Sequence, residues 1–270
     1  MALHDWGVDF AVWCSYKYLN SGPGGVGGLF IHKKWENIIL PQCVIVFVNY
    51  CNLLSLGCSK RITFRYAGWF GHDPSTRFDM PPRFSAIPGA QGFQQSNAPV
   101  FAIVSLLGSL QIFKEVGMMG PLRERSIRLT SELETRLTGS RFYVPVNEVS
   151  ARYLLRSGAD GKDDTAQQCQ PGFTIITPRD PESRGSQLSL LFLPPDSDVM
   201  EKVFDAMSAK GVVGDKRKPS VIRLTPAPLY NTLGDCKRAA ACLEDAFESL
   251  MEVTIPEKGE FGHNSKVSSG

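Results

Sequence analysis

The chain has 270 residues, of which 43% are apolar and 21% charged, and its formal net charge is +2. This much apolar material excludes wholesale disorder and suffices to bury the core of one or two domains. The near-balance of charge, with no basic stripe and no acidic tail, excludes a surface built for nucleic acid.

Seven cysteines (Cys14, Cys43, Cys51, Cys58, Cys169, Cys236 and Cys242) make an odd number with no Cys-x-x-Cys pair. A disulfide framework or zinc site is therefore disfavoured, and a reducing, cytoplasmic setting is expected. Residues Met1 to Phe10 carry His4, Asp5 and Asp9 and no basic n-region, so they do not read as a signal peptide.

In chain order, Val8 to Cys14 is predicted as an apolar strand that runs into a polar turn, and such a strand expects neighbours on both sides. A glycine-rich turn, "NSGPGGVGG", leads to a second strand at about Leu29 to His32. No charge occurs from Asn37 to Ser59, a length that raises a membrane span. Pro41, Gln42, Asn49 and Asn52 argue against one. A Gly-, Pro- and aromatic-rich loop, "RYAGWFGHDPSTRFDMPPRF", comes next. Helices are predicted at about Pro99 to Val116 and Gly120 to Leu137. Phe142 to Val144 reads as a short strand, and Asn147 to Pro171 as a loop. "FTIITP" and "QLSLLFLP" alternate like strands, and "DSDVMEKVFDAMSAKG" has helical periodicity ending at Gly211. "VVGDKR" and "VIRLTPAP" are short strands, Asp235 to Met251 is a closing helix, and the residues from about Pro256 read as a disordered tail. The alternation indicates a layered α/β or α+β chain.

Several side chains could carry chemistry. Lys17 follows an apolar strand and the pair Ser15 and Tyr16. A lysine at a strand end beside a dry pocket can serve as a nucleophilic amine, although a lysine there is more often a solvated loop residue. Gly22, Gly24 and Gly27 match G-x-G-x-x-G, but a strand, not a helix, is predicted to follow, so backbone turning explains them better than a nucleotide does. His4, His32, His72 and His263 share no metal-ligand spacing, and no metal is expected. Trp69 and Asn97 offer N–H donors, with a core or interface aromatic as the plainer reading of Trp69. Arg223, inside a short apolar strand, suits either a carboxylate clamp or an internal ion pair.

Together these pieces resemble one family, the kynureninases. "LHDWGVDFAVWCSYKYLNSGPGGVGGLFIHKK" is similar to the family's lysine segment, and "GWFGHDPSTRFDM", "IPGAQGFQQSNAP", "RGSQLSLLF", "GVVGDKR" and "IRLTPAPLYNT" follow in the family's order. The resemblance implies the C-terminal part of a type I, aspartate-aminotransferase-like, pyridoxal 5'-phosphate fold. Residues 1–118 would be part of the large domain, 119–255 a small α/β domain and 256–270 a tail. It implies Lys17 as the Schiff-base lysine and as the base for the substrate α-proton, and Tyr16 as a ligand of the cofactor phosphate. It also implies Trp69 and Asn97 as cofactor contacts across a homodimer interface, Arg223 as the clamp on the substrate carboxylate, and Phe70 and His72 beside the substrate's aromatic ring. The reaction implied is hydrolysis of L-kynurenine or 3-hydroxy-L-kynurenine to alanine and anthranilate or 3-hydroxyanthranilate. That reaction belongs to tryptophan catabolism and NAD biosynthesis.

The sequence departs from the family twice. The family has a large region ahead of this lysine, with the ring-stacking aromatic, the phosphate loop and the aspartate for the ring nitrogen. It also has only a short connector where residues 37–60 form the apolar stretch, which is expected to be a translated intron or gene-model artefact, with a real loop as the alternative. The expectation is that the chain as written is poorly soluble and inactive; robust kynurenine hydrolysis by it would refute this. The alternative readings are a truncated fragment that acts only as a dimer partner, another class V enzyme such as a cysteine desulfurase, and a membrane-anchored protein. No cysteine here sits in a desulfurase-like motif.

Overall fold

The computed structural model describes residues 1–36, 68–154 and 170–253. The apolar 37–60 stretch and the tail lie outside them. The chain divides into two compact units, Met1–Glu115 and Val116–Gly270.

In the first unit, β1 (Phe10–Cys14) and β2 (Gly27–Ile31) pair antiparallel, with Phe10 opposite Ile31 and Cys14 opposite Gly27. Among the described residues β1 pairs on one side only, and Val12 and Trp13 are exposed. The expected two-sided sheet is therefore not formed by these strands alone, because an antiparallel hairpin satisfies only one edge of each. Short 3-10 turns at Trp69–Gly71, Arg77–Asp79 and Gly89–Phe93 lead to α1 (Val100–Glu115). Helix α1 is apolar around most of its circumference, yet only Ser109 and Phe113 are buried, and Phe101 is 89% exposed. Ser109 Oγ donates to the carbonyl of Leu19, and the Tyr18 ring sits 6.4 Å from that of Phe113, so both tie the hairpin loop to the helix.

The second unit begins with α2 (Met119–Thr138), whose Leu122, Leu129, Leu133 and Leu137 lie on one buried stripe. Four antiparallel strands follow in the order β3-β4-β6-β5: β3 (Gly172–Ile175), β4 (Leu188–Leu193), β5 (Asp215–Arg217) and β6 (Val221–Leu224). Every second residue of β4 faces the helices, so Leu188, Leu190 and Phe192 are fully buried. Helix α3 (Val199–Ala209) contributes Val199, Met200, Val203 and Met207 to the same core. Gly211, at φ 78°, ends it: its N–H reaches Ser208 O and that of Val212 reaches Met207 O, which satisfies the last carbonyls.

Helix α4 (Leu233–Val253) closes the unit, with Cys236, Leu243, Ala246 and Phe247 buried. The Thr232 Oγ accepts the Asp235 N–H at 3.2 Å, and Asp235 Oδ2 accepts the Thr232 N–H at 2.9 Å, a reciprocal cap. The Thr232 N–H and hydroxyl hold the Asp235 carboxyl below its ordinary range. Its stabilising contribution is therefore present above the unfolded value and is lost as pH falls through the lowered folded value. Thr232→Ala is expected to cost about 1 kcal/mol in urea unfolding at pH 7, and less at a pH low enough to protonate Asp235.

Two local expectations change. Phe142 to Val144 is not a strand: Tyr143 alone forms a bridge, parallel, to Phe173. The predicted loop from Asn147 begins instead with a helical turn, Val146–Val149, and a wider turn, Ser150–Leu154. Pro145 at the start pre-sets φ for helix entry, and Val149 packs with Val144 and Leu193. Among the described residues no single helix is long and apolar enough to cross a membrane.

Candidate functional site

The loop from Ser15 to Val26, between the two hairpin strands, presents Tyr16 and Lys17. Its base is locked from inside. Ser15 is buried, its Oγ lies 2.7 Å from Ser21 Oγ and also bonds the Val26 carbonyl, and its own carbonyl accepts the Ser21 N–H at 3.1 Å. Asn20 donates its N–H to Lys17 O at 3.0 Å. Gly22 and Gly24 take φ values of 83° and 72°, and β2 starts at Gly27, where a dinucleotide loop would need a helix. The glycines thus turn the chain back to its partner strand. With Ser15 turned inward, Tyr16 and Lys17 point out and are exposed, with Lys17 Nζ 5.7 Å from the Tyr16 ring centroid. Among the described residues Lys17 sits on an open turn.

A Cβ built on Gly25 would fall 2.3 Å from Ser21 Oγ and 3.0 Å from Ser15 Oγ. Gly25→Ala must therefore break the serine lock. The expected loss is about 1–2 kcal/mol in urea unfolding, with faster amide exchange across residues 15–25.

A second turn carries Trp69, Phe70 and His72. Gly68 and Gly71 let it lie directly on the backbone of residues 92–95: a Cβ at Gly68 would meet Gln95 Cα at 2.2 Å, and one at Gly71 would meet Gly92 O at 2.6 Å. That contact brings Trp69 toward the segment that ends in Asn97, an exposed residue just ahead of α1. Trp69 is also exposed, with its ring edge-on to Phe78. His72 is buried and acts as a brace: Nδ1 accepts the Ser85 N–H at 3.2 Å, so Nε2 carries the proton toward Thr76 Oγ1 at 3.1 Å. Arg77, which sequence reasoning did not single out, donates from Nη2 to the carbonyls of Phe70 at 3.2 Å and His72 at 3.0 Å and stacks on the Phe70 ring at 4.9 Å. Its only sequence signal is an arginine inside an aromatic, proline-rich loop.

Arg223 belongs to the second unit. On β6 it alternates with buried Ile222 and Leu224, which places it on the sheet face away from the core. Its Nη2 bonds Asp215 Oδ2 on β5, while its Nε is buried and unpartnered among the described residues. Of the two sequence readings, the ion pair is present. Elsewhere in this unit a cavity of about 440 Å³ opens beside Leu224, Pro226, Asn231, Asp235 and Arg238, without Arg223 in its wall.

Lys17 and Tyr16 suit pyridoxal phosphate by donor chemistry: a primary amine for an aldehyde and a phenolic O–H for a phosphate, adjacent on one rigid-based turn and both accessible. Trp69 and Asn97 add exposed N–H donors.

A mixed α/β chain whose four-stranded sheet is antiparallel throughout, with an exposed lysine on a locked hairpin, has the architecture of the C-terminal portion of a pyridoxal-phosphate-type fold. The sequence profile of the kynureninase C-terminal domain matches residues 162–243. The kynureninase of Eremothecium gossypii is 42% identical over 254 residues, covering 93% of this chain and 47% of the relative. That of Yarrowia lipolytica is 43% identical over 250 residues (93% and 48%), and that of Saccharomyces cerevisiae 41% over 256 residues (93% and 48%). The chain belongs to the kynureninase family. It spans about half the length of the curated relatives it matches.

Proposed function

We propose that this chain carries the lysine-bearing part of a pyridoxal-phosphate-dependent hydrolase that cleaves the Cβ–Cγ bond of L-kynurenine or 3-hydroxy-L-kynurenine, releasing alanine and an anthranilate. The observation that carries the reading is the exposed Tyr16–Lys17 pair on its serine-locked hairpin, in a chain 41–43% identical to the three named kynureninases. When bound, pyridoxal phosphate supplies the electron sink that weakens bonds at the substrate α-carbon. The chain's own residues do the rest. The Lys17 amine holds the cofactor as a nucleophile and then moves the α-proton at Nζ. The Tyr16 hydroxyl donates to the phosphate, with Trp69 and Asn97 as further cofactor contacts. Arg223 receives the substrate carboxylate through its guanidinium. Phe70 lies beside the substrate ring, on the turn that His72 and Arg77 brace. The domain bounds 1–118 and 119–255, a homodimer and a cytoplasmic setting complete the proposal, and sedimentation tests the dimer.

The experiment is to mix the purified 270-residue chain with pyridoxal phosphate, reduce with borohydride, and map the modified peptide. Anthranilate release from L-kynurenine is followed in parallel by fluorescence. Modification at Lys17 with turnover supports the enzyme reading and overturns the expectation of an inactive fragment. No modification at Lys17 sinks it. The similarity across 93% of the chain favours the enzyme over a fragment that serves only as a partner.

A further inference from the structure

We propose that Asp215 is a positioning residue for Arg223: the ion pair across β5–β6 fixes the guanidinium on the outer face of the sheet for an incoming carboxylate, and Arg217 offsets its charge. The proposal rests on the carboxylate-binding role of Arg223 given above.

The strand register makes the arrangement. Asp215 stands opposite Arg223 across β5–β6, and Ser189 stands opposite Arg223 across β4–β6. The flanking residues Leu188, Leu190, Ile222 and Leu224 are buried in the core, so this three-residue row lies on the other face of the sheet. Arg217, two residues beyond Asp215, shares that face, and its Nη2 reaches Asp215 Oδ2 at 3.0 Å. One carboxylate oxygen therefore serves two arginines, Arg217 from the exposed side and Arg223 from the half-buried side.

Asp215 bonds Arg223 through Nη2, and the buried Nε has no partner among the described residues. The guanidinium is therefore held in place by the Asp215 contact and not by a full set of bonds, and losing that contact frees it to turn. A lone carboxylate beside the guanidinium would weaken the attraction for an anionic ligand. Arg217 restores the positive balance.

The test is calorimetric titration of the full chain, with pyridoxal phosphate present, by L-kynurenine and by its amine analogue that lacks the carboxylate. The unsubstituted chain is expected to prefer L-kynurenine. Asp215→Ala should weaken L-kynurenine about tenfold and leave the analogue unchanged, as expected for loss of a charge-assisted contact. Asp215→Glu should recover part of the preference, and Arg217→Ala should weaken L-kynurenine about threefold. Asp215→Asn, which keeps the side-chain size, gives the same comparison if the alanine variant fails to fold. Equal weakening of both ligands, or an unchanged preference in Asp215→Ala and Asp215→Asn, overturns the positioning role. If the unsubstituted chain shows no preference, the carboxylate role of Arg223 fails first, and the proposal fails with it.

Discussion

Lys17→Ala is expected to abolish covalent capture of pyridoxal phosphate by this chain and to cut any kynurenine turnover by more than about 10³-fold. Lys17 lies in the hairpin loop, with Ser15 directing its own side chain inward and leaving its neighbours outside. Alanine removes the nucleophile without disturbing that lock, since Lys17 bonds the loop through its carbonyl, which accepts the Asn20 N–H, while its amine lies over the Tyr16 ring and not in the lock. Folding should therefore be unchanged within about 0.5 kcal/mol, as for an exposed substitution. Lys17→Arg is the sharper control. It keeps the positive charge but not a nucleophilic amine, because the guanidinium stays protonated. Both variants should lose the borohydride-stable adduct. An adduct that persists in Lys17→Ala would place the cofactor on another lysine, such as Lys33 or Lys34 beyond β2.

How legible this was in the sequence depended on whether a feature was local. The alternation of Leu188, Leu190 and Phe192 announces a half-buried strand because the side-chain period of a strand is two, and the structure buries all three. The Gly22–Gly27 turn was legible for the same reason: the residues after it form a strand, which removes the nucleotide reading. What is set by partners distant along the chain was not legible. Ser15 and Ser21 look like ordinary loop serines until the hairpin closes. Asp215 and Arg223 become partners only once the β5–β6 register is known, so the sequence left Arg223 open between a clamp and an ion pair. His72 stood out by resemblance as a residue beside the substrate ring; that its two nitrogens also engage Ser85 and Thr76 is shown only by the folded loop. The Val146–Val149 turn was hidden because the polar residues after it dominate the composition of that stretch.

Phe247→Ala is expected to be the most damaging single truncation in the second unit, at about 3–5 kcal/mol. Phe247 is fully buried on α4 and sits where three other rings converge. It stacks on Phe142 at 4.7 Å, on Phe192 at 5.8 Å and on Phe173 at 5.7 Å, so it joins the helix to two neighbouring strands and to the segment after α2. Truncation loses the transfer energy of the ring and leaves a cavity that its neighbours cannot close. Phe173 and Phe192 are fixed by strand pairing, and Phe142 by the bond its carbonyl accepts from the Phe173 N–H. The aromatic contacts add specific stabilisation beyond the buried area. A domain has only about 5–15 kcal/mol to lose, so the variant should unfold at much lower urea, with an unchanged slope if folding stays two-state. Phe247→Leu refills part of the cavity and should cost roughly half as much. A loss below about 1 kcal/mol for the alanine variant, read from urea unfolding by circular dichroism, would mean that the four rings do not form the packed centre described above.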